Sequence, residues 1–125
     1  IAKVLNKLNS EKIRTSLFIN PSLKDVYASK NFNANCVELH TGKFAIKVKS
    51  KANYMQELNK IKKCAILANK LGIEVHAGHG LDYKSTKILK KIKFIEEFNI
   101  GHFIIGESIM YGMKNVINKF KKIIY

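Results

Sequence analysis

Residues 53–80 read NYMQELNKIKKCAILANKLGIEVHAGHG, and this stretch decides the fold. Its first part predicts an amphipathic helix over residues 53–71, because apolar side chains recur at helical spacing. That stripe consists of Tyr54, Leu58, Ile61, Ala65, Ala68 and Leu71. Gly72 is typical of the residue that ends a helix. Residues 73–77 then predict a strand, and Gly78-His79-Gly80 predicts a flexible turn after it.

Further helices and strands flank this unit. In chain order we predict a helix at residues 1–9, a strand at 13–19, a helix from Leu23, a strand at 35–40, the helix at 53–71, a strand at 73–77, a helix at 85–92, a strand at 94–101 and helices at 103–111 and 113–124. Such alternation predicts a parallel sheet with crossover helices. Four strand–helix units make half of a (β/α)8 barrel or a small open α/β sheet, and the pattern does not separate the two.

Two local predictions concern the connections near the first two strands. Ser22 and Asp25 have the spacing of a capping box at the start of the second helix. We expect this second helix to end within residues 31–35. Residues 44–50 are rich in lysine and show little periodicity, so we predict a mobile loop there.

The start of the chain resembles the interior of a helix. Ile1, Val4, Leu5 and Leu8 share one helix face, so we expect residues before Ile1 in the natural protein, although processing also produces such a start. Lysines interrupt this segment, which argues against a signal peptide. No apolar run reaches the roughly 18–20 residues that a membrane span needs.

The composition fits one domain with a basic surface. The chain has 125 residues, of which 46% are hydrophobic, enough for a single core. The net charge is +14, but 22 of the 23 basic residues are lysine, whereas bidentate recognition of phosphates and bases favours arginine. We therefore expect lysines on solvated helix faces and no nucleic-acid partner. Such charge would still attract phosphorylated metabolites.

The two cysteines, Cys36 and Cys64, lack a metal-type spacing. Cys36 belongs to a predicted strand and Cys64 to the apolar face of the longest predicted helix. We predict two buried, reduced thiols of a cytoplasmic protein.

Polar residues gather where the predicted strands end, which is where parallel α/β proteins bind ligands. These residues are Glu38, His40, His76, His79 and His102. They include all four histidines of the chain. We therefore expect one glutamate and four histidines near one edge of the sheet.

Three of these positions suggest particular chemistry, and each has a purely structural alternative. Glu38 and His40 share a strand face, so the carboxylate can orient the histidine or hold a positive charge; a buried structural pair has the same spacing. His79, between two glycines, can exchange protons with a ligand, or it is a turn histidine in solvent. Gly101-His102 precedes a helix whose free N–H groups favour phosphate, or it forms a plain turn.

The histidines also offer ligand atoms for a metal, together with Glu38. However, the helical His-Glu-x-x-His pattern is absent and no other spacing is specific. We therefore predict no metal site. His76 is explained equally well as a packing residue or as a residue that supports a neighbouring site residue.

Three blocks of the sequence resemble the pyridoxine 5′-phosphate synthase family. The first is Arg14–Ile19 together with Val37-Glu-Leu-His-Thr-Gly42, the second is Ala77-Gly-His-Gly-Leu81, and the third is Asn99-Ile-Gly-His102 with Ile104-Ile-Gly106. The second and third blocks, about 20 residues apart, are the more specific. The resemblance spans Arg14 to the last helix and covers only the second half of the family.

The resemblance implies a (β/α)8 barrel in which residues 1–125 form the C-terminal half of a single domain. It implies condensation of 3-amino-2-oxopropyl phosphate with 1-deoxy-D-xylulose 5-phosphate to pyridoxine 5′-phosphate, phosphate and water. It also implies no metal, no organic cofactor and a homo-oligomer, an octamer in the family.

The resemblance also implies roles for single residues of this sequence that match functional positions of the family. His79 matches the proton donor, and Glu38 matches the glutamate that stabilises charged intermediates. Gly80, Gly101 and His102 match positions that bind the amino-ketone phosphate. His40 and His76 have no assigned role and are expected to support these residues. The bases and substrate-binding residues of the family's first half have no counterpart, so we expect residues 1–125 alone to be inactive, with two unpaired sheet edges.

Two alternative functions remain open at this point. The first is another phosphate-handling barrel, such as an isomerase or an aldolase. An aldolase would usually need a Schiff-base lysine at a strand end, and no lysine of the chain is convincing there. The second is a basic α/β module that binds RNA, for which salt-sensitive retention on RNA would be the test.

Overall fold

A four-stranded parallel sheet with helices packed on one face forms the protein. The computed structural model describes residues 1–125. In chain order the elements are α1 (Ala2–Ser10), β1 (Ser16–Ile19), α2 (Leu23–Asn31), β2 (Cys36–His40), α3 (Gly42–Lys49), α4 (Met55–Lys70), β3 (Glu74–Gly78), α5 (Tyr83–Leu89), β4 (Glu97–Asn99), α6 (His102–Tyr111) and α7 (Met113–Ile124). None of these helices is both long enough and apolar enough to cross a membrane.

The strands lie side by side in chain order, β1-β2-β3-β4, and all pairs are parallel. The predicted parallel α/β architecture is therefore confirmed. An open doubly wound sheet reverses its strand order at a switch point, whereas a (β/α)8 barrel adds each strand beside the last. The sequential order found here contains no such reversal.

Alternation along each strand separates an apolar face from a polar face. Val37, Leu39, Val75 and Ala77 point toward the helices and belong to a buried cluster of 15 residues. The opposite face carries mainly polar side chains. Those are Cys36, Glu38, His40, Glu74, His76, Glu97 and Asn99, which the strand register places side by side.

The long predicted helix forms as α4 and supplies much of the core. Ile61, Ala65 and Ala68 of the predicted stripe are fully buried, and Cys64 joins them. Gly72 follows α4 with a φ of +70°, a left-handed conformation that glycine adopts without steric cost. Both cysteines are unpaired and buried, as predicted. Burial raises the pKa of the Cys64 thiol to about 11.

The prediction of a mobile loop at residues 44–50 is wrong. Residues 44–49 belong to α3, which buries Phe44, Ala45 and Val48, and Ser50 is its C-cap. These three side chains have helical spacing, but the lysines around them obscured the apolar periodicity in the sequence. Burying Phe44 and Val48 contributes about 1.5–3 kcal/mol each, which outweighs the weak intrinsic preference of so short a helix.

The capping box predicted at Ser22 and Asp25 does not form. Ser22 is the N-cap of α2, but its hydroxyl makes no cap hydrogen bond. Its backbone carbonyl instead accepts from the N–H groups of Asp25 and Val26. A capping box that the sequence analysis missed starts α5, where Asp82 and Ser85 exchange side-chain and backbone hydrogen bonds.

Other predicted boundaries are close to those observed. The outermost strands are shorter than predicted, with four residues in β1 and three in β4. The first predicted helix forms, although Leu5 is the only buried member of its apolar face. The last helix buries Val116 and Phe120, and the Phe120 ring contacts Tyr83 and Phe103. These aromatic contacts attach α6 and α7 to α5.

Candidate active site at the carboxyl ends of the strands

A cavity of about 700 Å³ lies where β2, β3 and β4 end. The structure brings into its lining all five residues predicted to be catalytic or substrate-binding, namely Glu38, His79, Gly80, Gly101 and His102. The remaining lining residues are Phe18, Leu81, Phe103, Gly106 and Glu107. No lysine lines this cavity. The grouping was expected, because parallel strands place their carboxyl ends at one edge of the sheet.

Glu38 projects from β2 into the cavity and is held by a residue of β4. The side-chain amide of Asn99 donates a hydrogen bond of 2.8 Å to Oε2 of Glu38. The bond passes over Gly78 of the intervening strand. A Cβ atom at Gly78 would clash with the Glu38 carboxylate and lie 3.0 Å from the Cβ of Asn99. The absence of a side chain at Gly78 therefore permits this carboxylate position.

His79 lies in the turn after β3, exposed to the cavity, with a φ of +77°. Residues other than glycine rarely adopt this left-handed conformation, so surrounding contacts must maintain it. Thr41 supplies them. Its N–H donates to the carbonyl of Gly78 at 2.8 Å, and its hydroxyl lies 2.7 Å from the carbonyls of both Gly78 and His79. Thr41 is fully buried, which strengthens these bonds.

His40 is placed beside His79 at the last position of β2. The two imidazole rings stack with their centroids 4.6 Å apart and their planes 24° apart. His40 does not line the main cavity. It lines a neighbouring hollow of about 180 Å³ with Lys43 and Glu57 among others. Burial lowers the pKa of His40 from its ordinary value of 6.5, and His79 and Lys43 lower it further.

His76 is not at the strand end, so the prediction that all four histidines gather there is wrong for this residue. It is the middle residue of β3, is buried, and is paired in register with Glu38 and Glu97. Its Nε2 lies 2.9 Å from Oε1 of Glu74, and its Nδ1 lies 3.6 Å from Oε1 of Glu97. Two residues of β3, Ala77 and Gly78, follow His76, so it lies within the strand and does not line the cavity.

Cys36, Glu74 and His76 form the one cluster whose ligand atoms could surround a metal ion, within 4.8 Å of one another. Glu74 is already occupied: one oxygen pairs with the Arg14 guanidinium and the other meets His76. These two partners, His76 foremost, lower the pKa of Glu74. Burial raises the pKa of the Cys36 thiol, which disfavours the thiolate that binds metal. A metal ion bound by this cluster would have to replace the contact between Glu74 and His76.

The start of α6 is suited to an anion. Gly101 is the N-cap and His102 is the first helical residue, with no acidic residue in the first turn. The first N–H groups of a helix have no intrahelical partner and attract negative charge. A Cβ atom added to Gly101 would meet no other atom within 4 Å, so the space in front of these N–H groups is open.

Sequence reasoning missed three residues that shape the site: Thr41, Gly42 and Asn99. All three belong to the motif blocks that carry the family resemblance. Asn99 shares a strand face with Glu97 and is in register with Gly78, but that register becomes visible only when the sheet is formed. A hydroxyl residue followed by glycine directly after a strand, as in Thr41-Gly42, is a signal that could have pointed to a hydrogen-bonded turn.

Comparison with known proteins gives a consistent result. The family model described as "Pyridoxal phosphate biosynthesis protein PdxJ" matches residues 1–125. A protein of Pelagibacter ubique named pyridoxine 5′-phosphate synthase is 59% identical over 123 residues, which cover 98% of this chain and 52% of that protein. Proteins of the same name from Zymomonas mobilis and Campylobacter fetus are 42% and 36% identical, covering 94% and 99% of this chain and 45% and 57% of their own lengths. The chain thus spans about half the length of these relatives.

Proposed function

We propose, because this chain belongs to the PdxJ family of pyridoxal phosphate biosynthesis proteins, that the full-length protein is a pyridoxine 5′-phosphate synthase. It condenses 3-amino-2-oxopropyl phosphate with 1-deoxy-D-xylulose 5-phosphate and releases pyridoxine 5′-phosphate, phosphate and water. One observation carries the proposal. Glu38, His79, Gly80, Gly101 and His102, drawn from the ends of three strands, line a single cavity.

The full-length protein is proposed to be a (β/α)8 barrel, with residues 1–125 as its last four units. The sequential order of four parallel strands supports this. So does the polar face of the sheet, where Glu74 contacts both His76 of the same strand and Arg14, which precedes β1. The interior of a barrel formed by eight strands would enclose these contacts. Residues 1–125 alone are proposed to be inactive, since they supply half of the barrel mouth.

Each cavity residue has a proposed role. His79 is exposed to the cavity and donates a proton to a leaving hydroxyl, for which an imidazole is suited near neutral pH. Glu38, oriented by Asn99, stabilises the positive charge of an imine intermediate. The N–H groups that follow Gly101, together with His102, bind the phosphate of the amino ketone. Gly80 allows the substrate to approach the backbone.

The rival functions have less support. An aldolase that forms a Schiff base needs a lysine facing the substrate, and no strand or cavity residue is a lysine. Binding of RNA would use arginine at its specific contacts, but Arg14 is engaged with Glu74 on the face of the sheet. Neither a metal nor an organic cofactor is part of the proposed reaction.

Assembly and location are proposed on indirect grounds. Helix α6 buries none of its residues, and Ile105, Ile109 and Met110 are exposed. Such an apolar surface supports burial against the rest of the protein or a second copy, in keeping with a homo-oligomer. Two unpaired, buried thiols are consistent with a reducing cytoplasm.

The proposal is tested by a product assay on the full-length protein. Both phosphorylated substrates are supplied, and pyridoxine 5′-phosphate is detected chromatographically. His79→Asn serves as the matched variant, because asparagine tolerates the left-handed backbone but cannot donate a proton as imidazolium does. Turnover should fall by about 10²–10⁴-fold with little change in Tm. A folded wild-type protein that makes no product would overturn the proposal, and unchanged turnover in His79→Asn would remove its proton donor.

A further inference from the structure

Two three-residue segments at the edge of the cavity are joined by hydrogen bonds and by stacked rings. Residues 40–42 read His-Thr-Gly and run from the last residue of β2 to the first of α3, while residues 78–80 read Gly-His-Gly and begin with the last residue of β3. Thr41 binds the backbone of the second segment through its N–H and its hydroxyl. These bonds fix the main chain at residue 79. They do not fix the rotation of the His79 side chain.

Aromatic contacts fix the plane of the His79 ring. His40 stacks on it at 4.6 Å, and Phe18 lies 5.1 Å from His40 and 6.4 Å from His79, measured between ring centroids. Gly42 makes room for the stack. A Cβ atom there would lie 2.7 Å from Cε1 of His40 and 3.0 Å from Cδ2 of His79. The arrangement therefore depends on a glycine at this position.

We infer that His40 is a positioning residue, whose ring stacks on His79 and holds that imidazole in the orientation from which it transfers a proton. The inference rests on the proposed function of His79 and adds a residue to it. His40 does not line the cavity and so acts through His79 rather than on the substrate. His40 matters through geometry, because the rate of proton transfer falls steeply when the donor is displaced or rotated.

The surroundings of His40 favour its neutral form. Lys43 of α3 and His79 oppose a positive charge on it, and Glu38 of β2 favours one. Glu57 and Lys60 of α4 line the same hollow, and Glu57 is paired with Lys47 and Lys60. Burial is the largest influence, and it lowers the pKa of His40. A neutral ring can stack on a protonated His79 without repulsion between like charges.

The experiment compares His40→Phe with His40→Leu in the full-length protein. Both substitutions remove the ionisable ring and keep apolar bulk, but only phenylalanine retains an aromatic face. Histidine ring protons are followed by NMR in protein labelled at histidine, with the His79 signals assigned by their loss in His79→Asn. Tyr54→Leu is the matched control, because Tyr54 packs edge-on against Phe44 at 5.6 Å, outside the cavity.

In His40→Leu the ring-current shift of His79 should disappear, and kcat should fall roughly tenfold or more while KM for both substrates changes little. In His40→Phe the shift should persist, and kcat should recover most of that loss. Tyr54→Leu should leave both the His79 ring-current shift and kcat at their wild-type values. Equal loss of kcat in the Phe and Leu variants, or His79 signals unaffected by His40→Leu, would overturn the inference. Absence of product in the wild-type protein would instead overturn the proposed function, while the NMR comparison would still report on the stack.

Discussion

The side-chain amide of Asn99 donates a 2.8 Å hydrogen bond to the carboxylate of Glu38, and the two residues lie on strands that are not neighbours. The bond spans β3 above Gly78, whose missing side chain leaves the path open. It is the only side-chain hydrogen bond that joins two of the strands β2, β3 and β4 at the cavity. The orientation of the Glu38 carboxylate thus depends on residues 40 and 61 positions further along the chain.

If the proposed function holds, Asn99→Ala should lower kcat of the full-length protein about ten- to a hundredfold, since a hydrogen bond to a charged group is worth about 1.5–3 kcal/mol. The measurement is steady-state kinetics with both substrates, in which KM should change little. Asn69→Ala, which alters an exposed asparagine of α4, is the control and should leave kcat unchanged. An Asn99→Ala enzyme with wild-type kcat would show that the bond does not orient Glu38 for catalysis.

Gly78→Ala should displace the Glu38 carboxylate and break its bond to Asn99. The added Cβ meets the flexible end of Glu38 but also lies 3.0 Å from the Cβ of Asn99, so the fold should survive with a lower Tm. Turnover should fall at least as far as in Asn99→Ala. The check is a double-mutant cycle with Glu38→Gln, in which the two losses should be strongly non-additive. Additive losses would place the effect of Gly78→Ala elsewhere.

Gly101→Val should raise KM for the amino-ketone phosphate by about tenfold or more, because a branched side chain enters the space in front of the first helical N–H groups. The φ of Gly101 is −110°, so the change does not place valine in the left-handed region that favours glycine. Gly101→Ala provides a graded comparison and should have a smaller effect. Equal KM values for wild-type, alanine and valine proteins would argue against a phosphate site at the start of α6.

Thr41→Val should lower the free energy of unfolding by about 1–3 kcal/mol, because it removes a buried hydroxyl whose acceptors are the carbonyls of Gly78 and His79. Thr41→Ser keeps the hydroxyl and should lose less. Urea denaturation of the full-length protein, followed by circular dichroism, measures both. A Thr41→Val protein as stable as the wild type would show that the hydroxyl bonds do not stabilise the fold.

The pH dependence of stability should carry a contribution from His40. Burial, His79 and Lys43 lower its pKa below 6.5, so the folded protein binds fewer protons there than the unfolded chain does. The unfolded state is therefore favoured as pH falls below 6.5, and stability rises with pH through that window. His40→Phe should reduce the loss of Tm between about pH 7.5 and about pH 5.5. A loss identical to that of the wild-type protein would contradict the shift.

Local patterns were sufficient for much of the fold. The stripe of Ile61, Ala65 and Ala68 and the stop at Gly72 occur as predicted, and the turn after β3 begins one residue later than predicted, at His79. They could be predicted because the causes lie within one helix turn or one strand. Helix α3 could not, because its burial of Phe44 and Val48 depends on a core that other segments supply.

The sequence by itself determined the alternation of strands and helices, and hence that Glu38, His79 and His102 would lie at one edge of a parallel sheet. It also carried the motif blocks by which the family is recognised. The tertiary structure alone decided which of these side chains touch. The bond from Asn99 to Glu38, the stack of His40 on His79 and the place of His76 beside Glu38 and Glu97 all depend on the register of neighbouring strands. Register is set by packing between residues far apart in the chain, so local spacing does not contain it.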